Sequence, residues 1–429
     1  MVVGTIIGAS IFVQPSLVSG AVPSMSGMLL VWSTAGILTL IGALVTAELA
    51  SAFPVTGGVY VYLRESWSPA VAFLWCWAMF WSMHTGIIAA IATVCALYVG
   101  HFVPLGPGGV KLVAVVAILL LSAVNYFGVR QGSALQTALT VIKVGAIALI
   151  IVLGLAVTGA AEVPGVQDRA ALPRLPSLDA FTAATVAGLF AFGGWHMVTY
   201  AADETKEPQR TIPRALLFGT LIVTVCYIGV NVSYLRVLSP QAVAASTRVA
   251  ADFAAAVTGG GGAALISGLV IISTLGALTG IILSGPRVYL AAADDGFLPR
   301  WAGAVHPRFG TPHHAITLQA VWACVLVLTG SYRELFARVI YTEWIFFGLM
   351  AAGIFVLRRR PGYAPRYRAW GYPLLPALFV AVTAVIVGNQ LITDPIVSAS
   401  GLLIVLAGLP IYFWRAGIQR RTERAHADR

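Results

Sequence analysis

The stretch VAGLFAFGGWHMVTYAADE, residues 186–204, has the composition of a long apolar helix, but two adjacent glycines interrupt it. Apart from proline, glycine is the residue least compatible with a helix interior, so Gly193 and Gly194 predict a break. At about 1.5 Å of rise per residue, Gly193 lies roughly 18 Å from Phe181 and about 15 Å from Asp203, near the two ends of the run. A helix that crosses a membrane here would therefore be broken near the bilayer centre.

The overall composition is that of a membrane protein. Of the 429 residues, 59% are hydrophobic and 10% are charged, and the mean hydropathy is +0.89. A soluble fold needs more polar surface than this. The net charge of +10 is therefore assigned to membrane boundaries rather than to a nucleic-acid surface. The four cysteines lie within apolar runs, at spacings that suit neither disulfides nor a metal site.

Twelve apolar runs, called spans 1 to 12 below, are long enough to cross a bilayer. Lipid offers no hydrogen-bond partner for unpaired backbone N–H and C=O groups. The sequence therefore predicts an all-α membrane protein with twelve transmembrane helices. No positively charged segment precedes the first run, which therefore does not resemble a signal peptide. The runs cover approximately residues 1–20, 26–52, 69–100, 110–128, 134–158, 178–202, 212–236, 260–290, 314–330, 333–357, 371–390 and 396–414.

The basic residues indicate an orientation. If the N-terminus is inside, 18 of the 26 Lys and Arg residues fall in the cytoplasmic connections and the C-terminal tail. Six fall on the opposite side, and Lys143 and Arg338 lie inside spans. Positive charge accumulates on the cytoplasmic side of membrane proteins. We therefore expect an integral, multi-pass protein of a bacterial plasma (inner) membrane with both termini in the cytoplasm.

A coarse repeat divides the chain. GTIIGASIF, residues 4–12, interrupts span 1, and FAFGGW, residues 190–195, interrupts span 6; each opens a set of five spans. An odd number of spans gives the two sets opposite topology, as in transporters built from a five-plus-five inverted repeat with broken helices at the midplane. The expected units are a first repeat at 1–158, a second at 178–357, spans 11 and 12 at 371–414, and a basic cytoplasmic tail at 415–429.

Broken helices at mid-membrane expose backbone groups that can bind a small zwitterion. Free N–H groups and the positive end of a half-helix attract a carboxylate, and free carbonyls attract an ammonium group. An amino acid carries both groups. Single glycines would also suit close helix packing. The neighbouring aromatic residues Phe190, Phe192 and Trp195 would suit either ordinary packing or the wall of a cavity.

Five segments carry a family resemblance: GTIIGASIFVQP, TAELASAFPVTGGVYVYL, LFAFGGWHMVTYAADETKEPQRTIPRAL, SGPRVYLAAADDGFLPRWAGAVHPRFGTP and IVLAGLPIYF. Together they resemble the L-type amino-acid transporter family within the amino acid, polyamine and organocation (APC) superfamily. The resemblance implies a secondary transporter that moves neutral L-amino acids by alternating access. It also implies independence of sodium, no cofactor, and action as an exchanger or facilitator. Relatives start earlier in the first helix, so we expect this sequence to begin inside that half-helix.

The resemblance further implies a substrate site at the two breaks. Backbone amides in span 1 and the Ser10 hydroxyl would hold the substrate carboxylate, and carbonyls in span 6 would receive the amino group. Phe190 would cover the substrate. Ala9 and Ser10 depart from the family's usual residues, and His196 stands where animal members commonly have Asn, which would affect side-chain choice. The implied substrate-binding residues are Gly8, Ala9, Ser10, Ile11, Phe190, Ala191, Gly193 and His196.

Charged residues inside spans are further candidates, because a charge at a helix centre costs about 2.5 to 3.5 kcal/mol to insert. Lys143 lies roughly 16 Å deep, too deep to reach the interface. The resemblance implies that it contacts backbone at the span 1 break, in place of a sodium ion. Glu343 would either titrate during transport or remain a static, hydrogen-bonded carboxyl, and Glu204 would pair with cytoplasmic arginines in a gate. Glu48 is expected to pair with an arginine of a loop. His84 is expected to be an interior histidine whose hydrogen bonds are satisfied within the protein.

Other functions stay open. A proton-coupled symporter of amino acids or amines is motivated by Glu343 and Lys143. A membrane receptor or channel has less support, because neither a signalling domain nor a ring-like pore motif is visible. No nucleophile and base set indicates an enzyme, and no metal is expected. The expected partners are the amino acid substrate and lipid. Animal relatives can attach a glycoprotein through a Cys after span 3, but HFVPLGPGGV, residues 101–110, has none, so no disulfide-linked accessory subunit is expected.

Overall fold

The computed structural model describes the backbone of residues 1–128, 130–157, 176–330 and 332–427. Side chains are described for these residues except 130–137, 332–338, 340, 397 and 419–427. The described residues form helices joined by turns, with no strand among them, so the predicted all-α class is confirmed. In chain order, spans 1 to 12 contain Val2–Ile6 with Gln14–Ala21, Met25–Ala52, Pro69–Val99, Pro107–Phe127, Arg130–Ala156, Leu178–Ala191 with Trp195–Glu204, Pro208–Val237, Gly260–Ser284 with Pro286–Asp294, His313–Thr329, Tyr332–Leu357, Leu374–Thr393, and Pro395–Leu406 with Gly408–Ala427.

Nine helices in the described part of the chain are long and apolar enough to cross a membrane on their own. Span 9 is shorter, at His313–Thr329, and span 1 is broken. The third run is a single helical segment with a π-helical turn at Met79–Met83, so it is not split into two spans. Span 8 continues through a proline at Pro286.

The starts of the helices follow from local sequence. Ser68 and Ser239 each accept a hydrogen bond from a backbone amide of the first turn, and each is followed by a proline at the first helical position. Both features are common at helix N-termini. The connections also contain helices that the sequence analysis did not predict, at Val59–Ser66, Pro240–Ala245 and Val249–Thr258. These are too short to cross a bilayer.

The broken helices lie in the protein core. Spans 2, 3, 6 and 8 each bury at least two thirds of their most apolar window, whereas spans 4, 5, 11 and 12 bury less than a third. Span 1 is buried throughout its interrupted section, from Gly4 to Val13. The peripheral spans therefore face the lipid and surround a core in which the two breaks meet.

Some predicted features lie outside the described residues. These features are the outer connection after span 5 and several of the basic residues from which the membrane orientation was predicted. They are residues 159–175 with Arg169 and Arg174, the side chains of Arg130, Arg333, Arg338, Arg420, Arg421 and Arg424, and Arg429.

Candidate functional site

The helix of span 1 stops in the middle of the protein. Its last regular bond runs from the Ile7 amide to the Val3 carbonyl, and a 3-10 turn at Ser10–Phe12 follows. The amides of Gly8 and Ala9 have no hydrogen-bond partner among the described residues. These two amides are therefore available to an acceptor such as a carboxylate.

Lys143 of span 5 reaches this break. Its ammonium donates a hydrogen bond of 2.9 Å to the Gly4 carbonyl oxygen, and its side chain is fully buried. Gly4 belongs to the last helical turn before the break, where carbonyls lose their regular partners. The sequence-based expectation of a contact between Lys143 and backbone near the first break thus matches the geometry.

The break in span 6 depends on a glycine conformation. The helix ends at Ala191, the Gly193 amide donates to the Phe190 carbonyl at 3.0 Å, and Gly194 has a φ of 93°. A side chain at Gly194 would be strained, because L-residues rarely adopt this region. Its Cβ would also lie 2.9 Å from the Thr5 carbonyl oxygen. The two breaks therefore touch each other directly.

Tyr227 of span 7 links the two breaks. Its hydroxyl lies 3.0 Å from the Ile6 carbonyl oxygen and 3.1 Å from that of Ala191. Both carbonyls belong to the last helical residues before a break. A hydroxyl has one proton to donate, so Tyr227 satisfies these carbonyls alternately.

A small cavity lies where the breaks meet. Span 1 contributes Gly8 and Ser10 to its wall, span 6 contributes Phe190 and Gly193, and Glu343 of span 10 completes the polar part. The remaining wall is formed by Thr5, Ile6, Ile87, Ile91, Gly194, Met197 and Ile281. The cavity measures about 20 Å³, room for one water molecule. This conformation is therefore closed, because the cavity has no room for a molecule larger than water.

The three aromatic residues around the span 6 break have different surroundings. Phe190 borders the cavity. Phe192 is fully buried, and its ring centroid lies 4.9 Å from that of Tyr227. Trp195 packs against Phe347, with 5.1 Å between ring centroids. Only Phe190 is placed to cover a substrate, and the other two stabilise the core.

Glu343 lies beside one buried histidine, His196. Its carboxylate oxygen is 3.6 Å from Nε2 of His196, longer than a hydrogen bond. Both side chains are at most 5% exposed, and Nδ1 of His196 has no partner among the described residues. His84 Nε2 instead lies 2.9 Å from the Ile281 carbonyl oxygen, as expected of a satisfied interior histidine.

Some predicted site residues are not part of the cavity wall. Ala9 and Ile11 are buried, and their side chains do not border the cavity. Ala191 contributes its carbonyl to the contact with Tyr227. Gly8, Ser10, Phe190 and Gly193 do meet at the cavity.

Ion pairs connect the spans on one side of the molecule. This is the side on which each even-numbered span leads into the next odd-numbered span, and we call it the arginine-rich side. Glu204 after span 6 forms a two-bond pair with Arg287, at 2.7 and 2.8 Å. Arg64 donates to Asp295 at 2.6 and 2.8 Å. These pairs link connections that are distant in sequence.

Glu48 has the loop arginine predicted as its partner. The guanidinium of Arg358 donates to both carboxylate oxygens, at 2.9 and 2.5 Å, and Glu48 is fully buried. The Ala369 amide adds a third hydrogen bond at 2.7 Å. The bonds to Glu48 raise the pKa of Arg358, so the guanidinium stays charged at neutral pH.

Tyr227 and the apolar wall of Ile87, Ile91 and Ile281 were not predicted from the sequence. In an apolar helix, a tyrosine or isoleucine carries no local signal that separates a cavity from the core. The Tyr60 hydroxyl, which donates to Asp295 at 2.7 Å, was missed for the same reason.

Comparison with known proteins identifies the family. Residues 1–411 match the family described as amino acid permease. The chain is 34% identical to the serine/threonine exchanger SteT of Bacillus subtilis (strain 168), over 98% of this chain and 95% of that protein. It is 31% identical to the human large neutral amino acids transporter small subunit 2, over 96% of this chain and 78% of the relative. It is also 31% identical to the mouse b(0,+)-type amino acid transporter 1, over 96% and 85%.

The chain belongs to the amino acid permease family, and the resemblance to L-type transporters is confirmed. It is an integral membrane protein that transports amino acids, and it is not an enzyme.

Proposed function

We propose that the protein exchanges small neutral L-amino acids across the membrane, independently of sodium, by alternating access to the cavity between the two breaks. The observation that carries this proposal is the meeting of the two breaks at one cavity, with Lys143 bonded to the first of them. The cavity holds about one water in this closed state, so binding requires spans to separate on one side at a time. The repeats at 1–158 and 178–357 are the units proposed to move.

The backbone of the breaks supports recognition of the amino acid's charged groups. We assign the substrate carboxylate to the amides of residues 8–11 and to the Ser10 hydroxyl. The free amides of Gly8 and Ala9 support that assignment. The amino group is assigned to carbonyls near Ala191 and Gly193, of which Ala191 is shared with Tyr227. Phe190, on the cavity wall, is assigned as the cover.

The remaining wall supports a small side chain with a hydroxyl group. Ile87, Ile91 and Ile281 leave little room, and Glu343 provides an acceptor among them. His196 stands beside Glu343 but does not border the cavity, with 3.6 Å between its Nε2 and the carboxylate oxygen. A site that pairs a substrate hydroxyl discriminates strongly against analogues without one. We therefore propose serine, threonine and alanine ahead of leucine, in keeping with the serine/threonine exchanger among the relatives.

Sodium independence follows from the position of Lys143. Its ammonium already occupies the acceptor at Gly4. A sodium ion about 4 Å away would meet a like-charge repulsion of roughly 4 kcal/mol at an effective dielectric constant of 20. A few carbonyl ligands do not offset a repulsion of that size.

Proton coupling is the second candidate, and Glu343 is the observation that favours it. A carboxyl that is 4% exposed, on the cavity wall and beside a histidine, is placed to exchange a proton when the cavity opens. In this alternative Glu343 is protonated in one state and ionised in the other.

The orientation and partners are also proposals. We place the arginine-rich side in the cytoplasm of a bacterial cell, with both termini there and Glu204 acting with Arg287 as part of the inner gate. We propose that the chain works without a second subunit, because the loop at 101–110 contains no cysteine for a disulfide.

The test uses the purified protein alone in liposomes. Uptake of labelled serine is measured with and without serine inside, in sodium and choline buffers, and with and without a pH gradient; protein-free liposomes are the control. Strong stimulation by internal serine, with equal rates in sodium and choline, supports exchange. Uptake into empty liposomes that needs an inward proton gradient would favour the second candidate, and severalfold stimulation by sodium would refute the assignment of Lys143.

A further inference from the structure

A second cavity opens on the surface of the arginine-rich side, away from the breaks. It has a volume of about 410 Å³. One wall is the first turns of span 7, with Gln209, Arg210, Pro213 and Arg214, and the other is the connection after span 10, with Arg366 and Tyr367. None of these residues takes part in the proposed transport site.

The cavity has a positive charge that the protein does not neutralise. Arg210 lies 3.7 Å from Glu207, and both side chains are mostly exposed, so this pair is weak. Arg214 and Arg366 are exposed and have no acidic partner among the described residues. Two guanidinium groups are thus free to bind an anion from the same cavity.

The wall that carries Arg366 is held in place. The Tyr367 amide donates to the Ser51 hydroxyl at 3.1 Å, and that hydroxyl lies 3.2 Å from the Tyr367 carbonyl oxygen. Two residues further on, the Ala369 amide bonds to the buried carboxylate of Glu48. Arg366 therefore projects from an anchored backbone, which lowers the entropic cost of binding a ligand.

The cavity lies at the edge of the apolar, lipid-facing surface. On span 7, Phe218 follows Arg214 by one turn and is 57% exposed. Trp370 and Leu374, at the start of span 11, follow the Arg366 wall in the chain and are 63% and 77% exposed. Tryptophan is enriched at the interface between lipid tails and water. The arginines thus lie at the depth of lipid headgroups, with apolar side chains continuing toward the tails.

We propose that this cavity binds the phosphate of an anionic phospholipid headgroup. Arginine presents paired donors that match phosphate oxygens, and basic pockets at the membrane boundary between helices bind acidic lipids. A free phosphate would contact only the guanidinium groups, and not the exposed apolar side chains Phe218 and Leu374. A phospholipid uses both parts, with its phosphate between Arg214 and Arg366 and its acyl chains along spans 7 and 11.

Lipid retention by the detergent-purified protein tests the proposal, measured by native mass spectrometry after adding phosphatidylglycerol or phosphatidylcholine. The wild type is expected to retain phosphatidylglycerol preferentially. Each arginine near an anionic surface contributes roughly fivefold, so Arg366→Gln weakens retention about fivefold and Arg214→Gln with Arg366→Gln about 25-fold. The control removes the same charge elsewhere on this side, as Arg300→Gln with Arg308→Gln.

Equal losses in the two double variants would show a general charge effect and overturn the site. Inorganic phosphate is added in a separate arm: full displacement of phosphatidylglycerol at millimolar phosphate would assign the cavity to a free anion instead. If the double variant is not monodisperse, the single Arg366→Gln variant decides, since its side chain is exposed and its backbone anchors are unchanged.

Discussion

The breaks in spans 1 and 6 face each other, but they are held open in different ways. In span 6 the break is stabilised by its own backbone, through the hydrogen bond from the Gly193 amide to the Phe190 carbonyl and the left-handed conformation of Gly194. In span 1, Gly8 has no positive φ, and the break leaves the amides of Gly8 and Ala9 without partners among the described residues. The first break is held from outside by Lys143, whereas Tyr227 contacts the carbonyl before each break.

This difference indicates which break is easier to reshape. A break stabilised by its own backbone changes only if its turn changes, whereas one stabilised by neighbouring spans changes whenever those spans move. We therefore expect span 1 to respond most to motion of spans 5 and 7, and span 6 to respond most to substitution of its own glycines. The four variants below test this, from the largest expected effect to the smallest.

Lys143→Ala removes the external support of span 1 and is expected to have the largest effect. A hydrogen bond from a charged group contributes about 1.5 to 3 kcal/mol, so transport should fall roughly tenfold to a hundredfold. The measurement is exchange of labelled serine per inserted protein. Lys111→Ala is the matched control, because Lys111 also donates to a backbone carbonyl, that of Leu328 at 2.7 Å, at an exposed position. Normal transport by Lys143→Ala would show that the first break supports itself.

Gly194→Ala should destabilise the protein by about 2 kcal/mol or more. The left-handed conformation costs an L-residue roughly 1 to 2 kcal/mol, and the new Cβ would meet the Thr5 carbonyl oxygen at 2.9 Å. Gly8→Ala is the counterpart in span 1, where the nearest atom to the new Cβ is that of Ala277, at an ordinary 3.6 Å. Thermal unfolding in detergent compares the two. Equal losses of stability would refute the distinction between the breaks.

The two breaks, and Lys143 as a candidate functional residue, could be predicted from the sequence because their signals are local. A glycine pair or a single ammonium within an apolar run is visible without knowing its neighbours. The meeting of Lys143 with Gly4 was expected through the family resemblance and is present in the structure. The start of Pro240–Ala245 also carries a local signal, Ser239 followed by proline.

Other parts of the site could not be predicted because they depend on distant contacts. Tyr227 bonds to Ile6, 221 positions away, and its partner carbonyl is free only because span 1 is broken there. Phe190 and Phe192 are two positions apart and the same residue type, yet one borders the cavity and the other packs in the core. The direction of each ring depends on where the helix ends, a boundary that sequence patterns locate only to within a few residues.

Tyr227→Phe should affect both breaks, but moderately. A neutral hydrogen bond contributes about 0.5 to 1.5 kcal/mol, and two carbonyls share this one donor. Tyr98→Phe is the control, since the Tyr98 hydroxyl donates at 3.0 Å to the carbonyl of Phe12, the last residue of the 3-10 turn, and not to a carbonyl before a break. Both variants should lose similar stability in thermal unfolding, but only Tyr227→Phe should slow serine exchange, by a factor of about 2 to 10. Equal exchange rates in the two variants would show that Tyr227 only packs.

Glu204→Gln tests the far end of span 6, where the half-helix after the break is tied to Arg287. Glu204 is 55% exposed, and exposed pairs contribute about 0.2 to 1 kcal/mol, so access from the arginine-rich side should rise by fivefold at most. Salt screens exposed charges, so the difference from wild type should shrink as ionic strength rises from about 0.02 to 0.5 M. Glu207→Gln is the control, because Glu207 faces Arg210 of its own helix. If Glu204→Gln stayed faster than wild type at high salt, the effect would come from packing of the half-helix, and the ion pair would not be part of the gate.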